Sequence, residues 1–95
     1  MNSPDDQLAV LRAELDLIDE RLLELLRARI ECCVRIAEHK SAHDVPMMQP
    51  HRIGIVKTRA AEYGEKHGIS VEFLSQLYDL VIGETCRVED LVIGR

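Results

Sequence analysis

Apolar residues recur every three or four positions through the first part of the chain, at Leu8, Leu11, Leu15, Ile18, Leu22 and Leu25. The same register continues through Arg29, Cys32, Ile36 and His39. That spacing draws one stripe along an α-helix and leaves charged residues on the other faces. Ser3-Pro4-Asp5-Asp6 supplies a start signal: a Ser cap, Pro in the first helical position and acids against the positive end of the helix dipole. Neither Gly nor Pro interrupts the pattern again before Pro46. The pattern predicts a first helix over about residues 4–42.

Pro46 marks a break between residues 43 and 49, and Pro50 opens a second helix over about residues 50–67. Its inward face reads Ile53, Val56, Ala60 and Tyr63. Lys66-His67-Gly68 gives it a basic last turn and a glycine stop. Ser70 caps a third helix over about residues 70–93, with Glu72 in its first turn and a stripe of Leu74, Leu77, Val81, Thr85, Val88 and Val92. No strand pattern competes, so the chain is predicted to be an all-α, single-domain protein covering residues 1–95.

The first helix is too long for a domain of this size. About 38 helical residues rise roughly 57 Å, whereas a compact 95-residue chain is only about 32 Å across. A straight helix would overhang its own globule and leave its stripe in water. The uninterrupted sequence offers no Pro or Gly for a kink. A homodimer with a shared core is therefore expected, with the first helix of each chain packed along the other.

Composition narrows the function. The chain is 46% hydrophobic and 31% charged, which suits a folded soluble protein rather than a disordered one. Aromatic residues are only 3%, too few for stacking platforms, and the net charge of −5 argues against nucleic acid. No apolar run is long enough to span a membrane, and no signal peptide is read at Met1-Asn2-Ser3-Pro4. Cys32, Cys33 and Cys86 are an odd count, and helical neighbours do not bridge easily; they read as reduced thiols of a cytoplasmic protein. His39 and His43 are four apart, but no further ligand completes a metal set, so they read as solvated or capping histidines. Neither metal nor cofactor is expected.

Charges interrupt the apolar stripes. Arg29 falls where a structural helix would place Leu, and burying an unpaired guanidinium costs several kcal/mol. It is either one half of an internal salt bridge, with Glu89 the obvious partner, or part of an anion site, which a planar guanidinium fork suits. Lys40 favours the anion site. Eleven residues on, three turns, it lies about 20° around the helix from Arg29. Arg12 is too far along the helix to join them in one chain, but it can reach the pocket of a partner in an antiparallel pair. On the third helix, Thr85 and Glu89 replace apolar residues and supply hydrogen-bonding groups to an aliphatic interior. Arg52 stands near the start of the second helix, beside Met47, Met48 and Gln49.

This combination resembles the all-helical chorismate mutases, the intertwined three-helix homodimers of the AroQ class (type II). The matching stretches are Leu11-Arg12, Ile18-Asp19, Leu22-Leu23 and Leu25-Leu26-Arg27-Ala28-Arg29. They continue with Lys40, Pro46, Arg52, Leu77-Tyr78, Val81-Ile82 and Thr85, covering nearly the whole chain. The resemblance implies that Arg29 and Lys40 grip substrate carboxylates, with Arg12 supplied by the partner chain. It also implies that Lys40 faces the ether oxygen of the breaking bond, that Thr85 lies near the ring carboxylate, and that Glu89 donates to the ether oxygen. Glu89 must be protonated for that, where many relatives have Gln. Met48, Gln49 and Arg52 complete the implied substrate-binding set.

The implied reaction is a Claisen rearrangement, in which no proton moves and no covalent intermediate forms. Such an enzyme holds a reactive conformer and stabilises negative charge developing on the ether oxygen. The family usually has acids near the substrate's ring hydroxyl, at the positions held here by Gln49 and Ile53. The stretches from Val45 to Ile53 and from Glu84 to Val92 are most similar to the 4-amino-4-deoxychorismate mutases, which serve p-aminophenylalanine-derived antibiotic pathways in actinomycetes. The implied activity is conversion of 4-amino-4-deoxychorismate to 4-amino-4-deoxyprephenate. Rearrangement of chorismate itself, an isochorismate-pyruvate lyase and a non-catalytic helical dimerisation module are the alternatives.

Overall fold

Local signals start or stop the hydrogen-bond ladder at the helix ends whose flanking residues are described. The computed structural model describes residues 3–43 and 50–92 and contains α1 (Pro4–Ala42), α2 (Pro50–His67) and α3 (Val71–Val92), with no strand among the described residues. At the start of α1 the Asp6 amide donates to the Ser3 hydroxyl at 3.1 Å, and the Ser3 amide donates to the Asp6 carboxylate at 3.2 Å. Two orphan amide groups are satisfied by this reciprocal pair, a capping box with Asp in place of the usual Glu. Ser70 starts α3 similarly, its hydroxyl accepting the Phe73 amide at 3.1 Å.

The chain divides into two units, Met1–Cys32 and Cys33–Arg95. In the first, α1 carries its apolar stripe largely in water: Leu8, Leu11, Leu15, Ile18, Leu22 and Leu25 are between 44% and 67% exposed. Leaving that many large aliphatic side chains hydrated forgoes roughly 1.5–3 kcal/mol for each one that could be buried. A single chain leaves this surface open, which is what the length of the helix led one to expect. Arg27 and Glu31 add a loose, exposed i,i+4 ion pair at 3.9 Å, of little energetic weight.

In the second unit α2 and α3 form a helical hairpin. Gly68, at φ 72°, takes the left-handed conformation that ends α2. The Ile69 amide then reaches back to the Gly64 carbonyl at 2.9 Å, as in a Schellman stop. Ala60 and Gly64 are buried and four residues apart, so α2 presents a strip of small residues where the chain returns. A Cβ at Gly64 would stand 2.7 Å from the Ile69 carbonyl oxygen and 2.9 Å from Leu74 Cδ1. The Lys57 ammonium, half-buried on α2, donates to the Asp79 carboxylate of α3 at 2.6 Å.

Two positions depart from the expected faces. Tyr63 was expected inward but is exposed, with its ring 4.2 Å from that of His67. The buried line of α2 runs through Ala60 and Gly64, and Gly64 lies about 100° around the helix from Tyr63. Val92 is likewise exposed, at the end of the described part of α3.

Candidate active site

The polar residues singled out on α3 lie where its apolar stripe runs inward. Thr85 is only 4% exposed, and its hydroxyl donates to the Ile82 carbonyl one turn back at 2.9 Å. That bond removes the cost of burying a hydroxyl among aliphatic neighbours. It also engages the single proton the hydroxyl has to give, so donating to a carboxylate would require it to turn away from Ile82.

Lys40 is half-buried in the last turn of α1, and Glu89 is half-buried one turn after Thr85. Both act on the Cys86 thiol between them. Burial pushes that thiol above its ordinary value, the charges of Glu89 and Asp90 push the same way, and the Lys40 ammonium opposes them. Lys40 is thus near enough to Cys86 for its charge to be felt by the thiol, and Thr85 and Glu89 flank that cysteine along α3. Cys86 was not marked as a site residue from sequence, since nothing local tells a half-buried thiol from core filler. Among the described cysteines, Cys33 and Cys86 are half-buried and Cys32 is exposed, and none of the three forms a disulfide.

The remaining expected residues are distributed as follows. Arg12 is exposed and Arg29 half-buried, both on α1 within Met1–Cys32. Arg52 is exposed in the first turn of α2, a turn that contains no acid. Ile53 is half-buried beside it. Met48 and Gln49 lie outside the described residues, as do Pro46 and Met47. His43 caps α1: its Nδ1 bonds to the His39 carbonyl at 2.8 Å, which places the ring proton on Nδ1. No cluster of three or more His, Cys, Asp or Glu among the described residues could hold a metal ion.

Elsewhere on α3, Arg87 and Glu84 form a two-pronged pair, with Nε to Oε1 at 2.8 Å and Nη2 to Oε2 at 2.7 Å. The guanidinium holds the Glu84 carboxyl below its ordinary value, chiefly through the hydrogen bond. Both side chains are exposed, so the pair belongs to the surface.

A half-buried ammonium, a buried hydroxyl and a half-buried carboxyl supply one cation and two hydrogen-bonding groups, and they include no paired nucleophile and base. Three helices carry that set. Residues 11–90 match the family described as chorismate mutase type II, and the chain belongs to that family. Among its relatives, the 4-amino-4-deoxychorismate mutase of Streptomyces venezuelae is 56% identical over 90 residues, which are 95% of this chain and 87% of the relative. The 4-amino-4-deoxychorismate mutase of Streptomyces pristinaespiralis is 54% identical over 85 residues, 90% of this chain and 66% of the relative. The bifunctional chorismate mutase/prephenate dehydratase of Buchnera aphidicola is 25% identical over 95 residues, with only 24% of its length covered. No solved structure matches the chain at comparable significance.

Proposed function

We propose that this protein is an isomerase that converts 4-amino-4-deoxychorismate to 4-amino-4-deoxyprephenate by an intramolecular Claisen rearrangement. The observation that carries this reading is the 56% identity, over 95% of the chain, to a relative named for that activity. In this reading residues 1–95 act as one chorismate mutase-like domain in the cytoplasm, within an antibiotic pathway, and need no cofactor. The partner as well as the chain itself supplies the site: two chains associate through the exposed α1 stripe, and Arg12 comes from the second chain.

Arg29 and Lys40 bind the two substrate carboxylates, and Thr85 donates to the ring carboxylate after turning from Ile82. Arg52, Met48 and Gln49 line the rest of the pocket. Binding the substrate in the folded conformer removes most of the entropy cost of bringing the new carbon–carbon bond together. Negative charge then grows on the ether oxygen as its bond to the ring breaks. Lys40 meets that charge, and the Glu89 carboxyl donates to it in its protonated form, both groups being oriented before the reaction begins.

Plain chorismate is the second reading, favoured by the description of the family that residues 11–90 match. Turnover of 4-amino-4-deoxychorismate, chorismate and isochorismate by one preparation separates these readings. A kcat/KM for the amino substrate at least tenfold above that for chorismate is expected. Preference for chorismate would overturn the substrate, and no turnover of any of the three would overturn the enzyme.

A further inference from the structure

We propose that His43 is a positioning residue for Lys40. α1 ends within one turn of Lys40, and a helix end leaves its last carbonyls without intrahelical partners. His43 closes this end three times over. Its backbone N–H donates to the carbonyls of His39 at 3.1 Å and Lys40 at 3.3 Å. Its ring Nδ1–H donates to the His39 carbonyl at 2.8 Å. The ring also stacks on that of His39, with centroids 4.2 Å apart and planes 29° from parallel.

Lys40 is thereby held on both sides. One turn before it, Ala37 is wholly buried and anchors the helix. Immediately after it, the capped turn fixes the backbone from His39 to His43. Uncapped helix ends fray at little free-energy cost, so the turn that bears Lys40 would otherwise be among the least stable parts of the helix. A group that works by presenting a charge at one point in space is sensitive to such loosening, since a misplacement of about 1 Å can cost about 100-fold in rate. His43 need not touch substrate to matter; it acts through the place it gives to the lysine.

The inference rests on the reading of Lys40 as the residue that meets the ether oxygen, and the test keeps the two apart. His43→Ala, His43→Asn and Lys40→Met are prepared in the full chain, and kcat and KM for 4-amino-4-deoxychorismate are measured with the thermal midpoint and oligomeric state. Asn retains a side-chain N–H donor for the His39 carbonyl. His43→Ala is expected to lower kcat about fivefold to twentyfold, with a smaller rise in KM because Lys40 also holds a substrate carboxylate. The midpoint and oligomeric state stay unchanged, and His43→Asn recovers most of the loss. Wild-type kcat in His43→Ala, a loss matched by a lower midpoint, or no recovery in His43→Asn overturns the proposal while Lys40→Met remains impaired. Full activity in Lys40→Met removes the reading of Lys40, and the proposal with it.

Discussion

The Lys40 ammonium on α1 draws the Cys86 thiol of α3 toward ionisation, against burial and the charges of Glu89 and Asp90, which together keep it protonated. The thiolate is the form that reacts with alkylating reagents. Modification of Cys86 at mild alkaline pH should therefore be slower than that of the exposed Cys32. Removing the Lys40 charge in Lys40→Met raises the thiol further and slows its modification; Asp90→Asn lowers it and speeds modification. Mass-resolved labelling rates from pH 7 to 10 check the signs, and a rate unchanged in Lys40→Met would separate the two residues.

Arg29→Ala addresses the anion site. A group that binds a carboxylate through ground state and transition state supplies orientation as well as affinity, and its loss should cost about 100-fold or more in kcat/KM. Sedimentation and far-UV circular dichroism should show an assembly and helix content like those of the parent. Near-normal turnover would make Arg29 a structural residue.

Glu89 gives a prediction about donation. An amide N–H can donate to the ether oxygen where a carboxylate cannot, so Glu89→Gln should retain or exceed the parent kcat, whereas Glu89→Ala should lose about 100-fold. Steady-state kinetics on both variants check this. If Glu89→Ala keeps the parent kcat, the side chain does not donate in the transition state.

Gly64→Ala sets two effects against each other. Alanine favours a helix over glycine by about 1 kcal/mol. Here its methyl would meet the Ile69 carbonyl oxygen at 2.7 Å and Leu74 Cδ1 at 2.9 Å. The leucine can turn aside, but the carbonyl belongs to the stop that ends α2, so the clash should win, with a net loss of about 1–3 kcal/mol. Denaturant unfolding measures the sign.

Where the chain speaks locally, the sequence could be read closely. Ser3 with Asp6, Gly68 and Ser70 each act within four residues, and the helix ends they imply are the ends observed. The polar interruption at Thr85 was legible because it breaks an apolar register, and the residue is buried. What resisted reading depends on distant neighbours. Tyr63 fits the inward face by periodicity, yet the buried line of α2 runs through Ala60 and Gly64 and leaves the ring outside. Cys86 gains its significance from Lys40, far away in sequence. The strip formed by Ala60 and Gly64 was the available clue to the close approach, visible only as two small residues four apart.

The turn between α2 and α3 also bears on how the molecule comes together. Only Gly68, Ile69 and Ser70 separate the two helices, and loops this short close in well under a microsecond. Contacts so near in sequence need no long search, and the hairpin can form as soon as its residues are available. The leucines at 8, 11, 15, 22 and 25 have no such nearby cover. In the proposed dimer they meet their surface only when a second chain arrives, so the late phase of folding should quicken in proportion to protein concentration while the early phase does not.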